Sequence, residues 1–460
     1  MNYRLAFIAS SLVVLFFVGC GGSGNKSHTQ PPPAITVSIS PSSSAILVNE
    51  TTSFTATVTG ASNTAVTWSV TEQAGGTVNA GTYQAPWANG TYHVVATSVS
   101  DSTKSASATV SVSAQFAFLQ QLPTGTSLPF SVTPILGTFG ADGKFTTTNI
   151  NDPKTGNPLD TSIASIFLSS DGKKVVFEMV TQDNSGKNTD NIYTANADGT
   201  GLTQLTFNVP GDGNYAVEPQ FSPDGQKITY TVFDNTSTWG ESLWAMNTDG
   251  TNQIQLSDPS TIGVGDASFS PDGSKIVALV ENYGASGFYG IAVMNPDTSN
   301  IVPLESGPQP SCFNPMGGYG WGDELPAFTN DGQHIAFSEV CWPTGGGMFE
   351  TVYIMNADGT NVTRLHGDAA TFVSSEPRAV ADRLVFSTNV DYPGTDQFEM
   401  YSVALDGSNL TRLTNNTMYD GFSVSWMNHY SAPSMNGSQL PTGAWRRIER
   451  LRRMKERHSH

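Results

Sequence analysis

Carboxylates recur at a nearly fixed distance ahead of an apolar anchor along the second half of this 460-residue chain. Glu218, Asp266 and Glu376 stand three residues before Phe221, Phe269 and Ala379, while Glu324 stands four before Phe328 and Asp420 six before Trp426. Gathered at one opening, five acids would hold a cation, bind a basic peptide or draw one in electrostatically. They are equally suited to accept backbone N–H groups from a neighbouring element. A second set is aromatic: Trp239, Tyr289, Trp321, Trp342 and Tyr392 fall in irregular segments such as FDNTSTWGE and CWPTGGGMFE, with acidic neighbours. Exposed aromatics beside carboxylates suit a sugar, a peptide or a cationic partner, unless they pack against their own loops. No GxSxG, HExxH, P-loop or CxxC motif occurs, and no segment has the spaced carboxylates of a calcium loop. No catalytic residue, metal or cofactor is therefore assigned. A hydrolase or lyase acting on polysaccharide stays the alternative to a binding protein, because a carboxylate pair needs no sequence motif.

Something repetitive has to position these residues. FSPDGQKITYTVF at Phe221 returns as FSPDGSKIVALV at Phe269 and FTNDGQHIAFSEV at Phe328, with a weaker LSSDGKKVVFEMV at Leu168 and a degenerate EPRAVADRLVFSTNV at Glu376. A second phrase follows each: IYTANADGTGLTQLT, LWAMNTDGTNQIQLS, IAVMNPDTSNIVPLE, VYIMNADGTNVTRLH and MYSVALDGSNLTRLT. Asp-Gly between alternating apolar runs marks a hairpin, because glycine takes positive φ without steric cost. Each unit thus predicts four strands, and such units stacked radially make a β-propeller. The first unit begins at Phe116 without an inner strand, so residues 422–426 are expected to supply it and close six blades across the ends. Both Asp-Gly turns of a unit fall on one face, where Asp171, Asp224, Asp272 and Asp331 are read as turn formers. The acids and aromatics above fall on the opposite, loop face.

The repeated phrases resemble those of the TolB-type six-bladed propeller family across residues 116–430. The resemblance implies a platform that binds envelope proteins, although the α/β domain preceding that family's propeller is replaced here. Residues 35–113 instead hold short alternating runs at 35–39, 52–58, 66–70, 91–97 and 106–112. Period-two alternation with frequent turns predicts an antiparallel sandwich with Trp68 in its core. The run TVTWSV…GTYQAP…GTYHVVATSV resembles bacterial Ig-like spacer domains. The whole is an all-β expectation: Ig-like sandwich, then propeller.

Residues 1–20 carry Arg4 and then an uncharged apolar run from Leu5 to Val18, too short for a bilayer core of about 30 Å but suited to a signal peptide. The Val-Gly-Cys ending resembles the bacterial lipobox, which implies that Cys20 is lipidated after cleavage. Residues 21–34, rich in Gly, Ser and Pro, read as a tether. Gly21 gives no inner-membrane retention signal, so the expected address is the cell envelope, at the outer membrane of a diderm. Cys312 and Cys341 are then left as a pair able to bridge in an oxidising compartment, or as two free thiols.

Lys and Arg number 21 against 39 Asp and Glu, a net charge of −18. The last fifteen residues, RRIERLRRMKERHSH, carry net +5, so everything before them carries −23. That body excludes a nucleic-acid-coating role, because the phosphate backbone would repel it. The basic tail, within 431–460, is read as disordered, with docking on anionic lipid as its functional alternative. The expected protein is a lipid-anchored envelope platform whose propeller loop face binds a protein, peptide or glycan.

Overall fold

The computed structural model describes residues 33–121, 132–160, 162–185, 188–209, 213–234, 241–283, 288–304, 323–341, 349–367, 373–393 and 397–422. All regular structure among them is β, and no helix is long and apolar enough to cross a membrane.

The five sequence units form five four-stranded antiparallel sheets, each in chain order from the inner strand outward. Their inner strands are Ile163–Leu168, Asn214–Phe221, Gly263–Phe269, Asp323–Phe328 and Ser374–Val380. The Asp-Gly turns do what their composition requires. Gly172, Gly225, Gly273 and Gly332 adopt φ near 70°. The preceding aspartate caps the turn: Asp224 Oδ1 accepts the Ser222 hydroxyl at 2.6 Å and the Gln226 N–H at 3.0 Å. The same arrangement at Asp272, led by the Ser270 hydroxyl, pulls its carboxyl down to about 2.

The remaining sheet draws its strands from distant parts of the chain. Tyr419–Gly421 pairs antiparallel with Ser105–Gln121, which pairs with Val132–Phe139, which pairs with Phe145–Asn149. The last strand was expected at 422–426. The observed pairing lies earlier, at Tyr419↔Gln121 to Gly421↔Leu119, and residues 423–426 are outside the described residues. Phe422, the residue after this strand, is fully buried.

The expected break between sandwich and propeller at 113–116 is not a linker. Ser105–Gln121 is one unbroken 17-residue strand that belongs to both. Its first part pairs with Gly90–Ser98 and, in parallel, with Ser43–Leu47. There its burial alternates with period two, as for a strand with one apolar face; Phe116 to Leu119 are buried without alternation, because apolar neighbours then cover both faces. The N-terminal strands enclose Phe54, Tyr83, Val94 and Val110, with Trp68 packed against them. In the propeller the apolar clusters straddle neighbouring sheets. One joins Phe116, Phe118 and Ile135 to Val385, Met400 and Phe422. Another joins Leu119 and Val132 to Ile163, Phe177 and Met179. Burial on both faces of each sheet is what sets one sheet against the next.

Candidate functional site

Besides the Ile163–Leu168 strand, which shifts register at Ile163/Ser165, four inner strands break their ladder, at Val217/Gln220, Gly265/Ser268, Glu324/Ala327 and Ser375/Arg378. At each of these four breaks one non-glycine residue has positive φ: Glu218 at 53°, Asp266 at 51°, Leu325 at 52° and Glu376 at 57°. A bulge of this kind frees an N–H from the ladder. Three of these N–H groups, on Glu218, Asp266 and Glu376, reach the neighbouring sheet. Asp266 N–H donates to Glu218 Oε2 at 3.2 Å, and Glu218 N–H to Glu178 Oε2 at 3.5 Å. Glu376 N–H donates to Ser338 Oγ at 3.1 Å, and Phe422 N–H to Glu376 Oε2 at 3.0 Å. A left-handed residue with a Cβ costs about 1–2 kcal/mol, which a hydrogen bond to a charged acceptor offsets on its own scale of about 1.5–3 kcal/mol. Among these carboxylates, Glu218 and Glu376 each accept a backbone N–H from a neighbouring strand. The Asp323–Phe328 strand has its positive φ on Leu325, one residue after Glu324, which accounts for the spacing of four.

Asp266, Glu376 and Asp420 are buried, Asp420 completely. Asp420 accepts Gln120 Nε2–H at 2.9 Å and Asn416 Nδ2–H at 2.8 Å. Burial pushes its carboxyl up to about 6, with Glu399 adding to the rise. Glu350 is raised well above the carboxylate range by burial and by Glu376. Glu376, Glu350 and Asp420 are all buried inside the protein.

Tyr392 is the loop-face aromatic whose side chain is described. It lies between strands Arg383–Thr388 and Glu399–Ala404, half-buried, with the Arg412 guanidinium 5.5 Å from its ring centroid. Arg412 donates to the Tyr392 hydroxyl at 3.3 Å and pairs with Asp391 at 2.8 Å and Glu399 at 2.7 Å. Burial alone would lower the Arg412 guanidinium, but the bonds to Tyr392 and Glu399 raise it. The Tyr401 hydroxyl donates to Asp391, and burial followed by that bond raises Tyr401. Tyr392 is thus fixed by an ionic network and offers part of its ring to solvent.

Cys20, Trp239, Cys312, Trp321 and Trp342 lie outside the described residues, as do the side chains of Tyr289, Glu324 and Cys341. Among the described residues no group of three His, Cys, Asp or Glu is arranged to hold a metal ion.

The turn face carries what the motif reading passed over. Arg378 projects from the Ser374–Val380 strand, its guanidinium 3.6 Å from the Phe167 ring centroid and 4.1 Å from that of Phe422. The signal was the degenerate repeat itself, EPRAVADR, which has Arg where the third unit has Gln220. The N-terminal segment also packs here. A Cβ on Gly172 would stand 2.5 Å from Leu47 Cδ1. Asn89 donates to Gly140 O at 2.8 Å and accepts from Arg383 at 3.4 Å.

The chain is an all-β protein carrying a β-propeller. No protein-family model matches it, and no curated protein matches it. Among solved structures it is similar to TolB from Acinetobacter baumannii, at 17% identity and TM-score 0.46, covering 73% of this chain and 79% of that one. It is also similar to a nidogen/laminin complex, at 12% identity and TM-score 0.42, covering 66% of this chain and 96% of that one. An oligogalacturonate lyase in complex with manganese aligns at 15% identity and TM-score 0.37, covering 65% and 72%. These likenesses concern architecture and carry no ligand or reaction to this chain.

Proposed function

We propose that the protein is a lipid-anchored cell-envelope platform that binds a protein, peptide or glycan through the loop face of its propeller. The observation that carries this reading is the seating of the N-terminal segment on the turn face, through Leu47 at Gly172 and Asn89 at Gly140 and Arg383. An anchor at Cys20 would then hold the turn face toward the tether and leave the loop face directed away from it. The unbroken Ser105–Gln121 strand supports this, because a shared strand transmits orientation as a flexible linker does not. Glu218 and Glu376 are engaged in accepting N–H groups from neighbouring strands, which supports binding over catalysis. Tyr392 on its ionic network is the described contact residue.

Two measurements test the reading. Cys20→Ser is expected to move the protein from the membrane fraction to the soluble fraction; retention in the membrane would remove the anchor. On a glycan and envelope-peptide array, the full-length chain is expected to bind without turnover, and Tyr392→Ala to weaken that binding. Release of oligosaccharide would replace the platform with the enzyme.

A further inference from the structure

We propose that the cavity between the N-terminal segment and the turn face of the propeller binds a small monocarboxylate with a flat apolar body, held by Arg378. This site lies on the face opposite the one assigned above and stands independently of it.

The cavity measures about 430 Å³, within the range of small-molecule sites. Phe221, Phe269 and Phe328 line it from successive inner strands, and Trp87 lines it from the N-terminal segment. Arg378 also lines it, flanked by the rings of Phe167 and Phe422. Its hydrogen bond runs from Nη1 to Ile166 O at 2.9 Å. A guanidinium has five N–H donors, so most of the fork has no partner among the described residues.

Among the described residues no carboxylate stands within ion-pair distance of Arg378, and Glu376 acts on its charge from farther off. Two carboxylates share the cavity wall, Glu50 and Asp171, and neither pairs with Arg378 within ion-pair distance. Glu50 accepts the Leu47 N–H at 2.8 Å. Asp171 accepts the Ser169 hydroxyl at 2.7 Å and pairs with Lys173 at 3.3 Å. Glu376, whose charge Arg378 feels, gives an oxygen to the Phe422 N–H at 3.0 Å. Burial pulls the Arg378 guanidinium down to about 9, the mark of a desolvated cation that an anion would relieve.

The chemistry of the ligand follows from the wall. One cation matches one negative charge, whereas a phosphate carrying nearly two would leave charge unpaired beside apolar rings. A planar fork accepts a carboxylate edge-on with two parallel hydrogen bonds. The ring-lined wall offers stacking surface to a flat body.

Naphthoate, followed by its own fluorescence, and uncharged naphthamide are the probes, titrated into the full-length chain. Naphthoate is expected to bind saturably and about tenfold or more tighter than naphthamide, the factor that a charge-assisted hydrogen bond supplies. Arg378→Met is expected to erase the difference between the probes, and Arg378→Lys to leave part of it. Because Arg378 also bridges blades, Ser268→Phe provides a second handle: it fills the cavity from the propeller wall and is expected to abolish binding of both probes with the circular dichroism unchanged. Four results would overturn the proposal. They are no saturable naphthoate binding, equal affinity for the two probes, naphthoate binding untouched by Ser268→Phe, and binding that appears only when the chain is truncated after Phe422. The last would mean that the chain's own C-terminal residues fill the cavity.

Discussion

Glu376→Ala probes the blade-to-blade hydrogen bonds at the point where the end of the propeller is held. Glu376 is 3% exposed, and its Oε2 accepts the N–H of Phe422, a residue with no exposure, at 3.0 Å. Removing the carboxylate strands that buried donor, at a cost of about 1–3 kcal/mol. It also removes the repulsion that raises Glu350, which returns part of the loss. A net cost of about 2 kcal/mol remains, and at 1.4 kcal/mol per decade it corresponds to roughly thirtyfold faster opening of the terminal strand. Hydrogen exchange on the segment 419–422, read by mass spectrometry, measures that opening directly. Glu376→Gln keeps an acceptor oxygen and drops the charge, so its exchange is expected within about threefold of the parent. Exchange in the alanine variant that stays within the same factor would refute the reasoning. So would a glutamine variant as impaired as the alanine one, since charge and not acceptance would then hold the strand.

Three further outcomes follow from the same geometry. The Asp420 carboxyl sits at about 6 when folded against 3.8 ordinarily, so the folded state binds that proton more tightly. Its contribution is full below about pH 4 and is lost as pH rises through 6, a change of about 3 kcal/mol. Asp420→Asn should therefore flatten the difference between urea midpoints measured at about pH 4 and 7, and parallel profiles for the two chains would contradict it. Arg412→Met leaves Glu399, 1% exposed, without its ion pair at 2.7 Å, and is expected to cost about 3 kcal/mol in urea unfolding; adding Glu399→Gln should recover at least half, and no recovery would deny the pairing its role. Gly199 has φ 83° and a Cβ there would stand 1.9 Å from Asn151 O, while Gly225 at φ 67° faces open space. Gly225→Ala should cost about 1 kcal/mol and Gly199→Ala about 3 kcal/mol or more, and equal losses in thermal unfolding would show that conformation alone sets the cost.

The all-β architecture was legible because its signals are local. Asp-Gly needs only its own backbone to specify a hairpin, and the alternation around Phe221, Phe269 and Phe328 needs only the pleat. The recurrence of Glu218, Asp266 and Glu376 was visible too, but its use was not. Whether an acid faces an opening or a neighbour's amide depends on a bulge one blade away, and no single unit contains that information. Composition shifts at 113–116, but that one strand runs through the shift, from Ser105 to Gln121, is set by its pairing partners on either side.

By itself, then, the sequence determined the repeat, the turn chemistry, the strand alternation and the acids three residues ahead of their anchors, all properties that short-range sterics and hydrogen bonding impose. Only the tertiary structure decided that Glu218 and Glu376 accept N–H groups from neighbouring strands, that the N-terminal segment seats on the turn face, and that Arg378 meets Phe167 and Ile166 from more than two hundred positions away. Charge and burial at such sites are set by residues far apart in the chain, and packing brings them together.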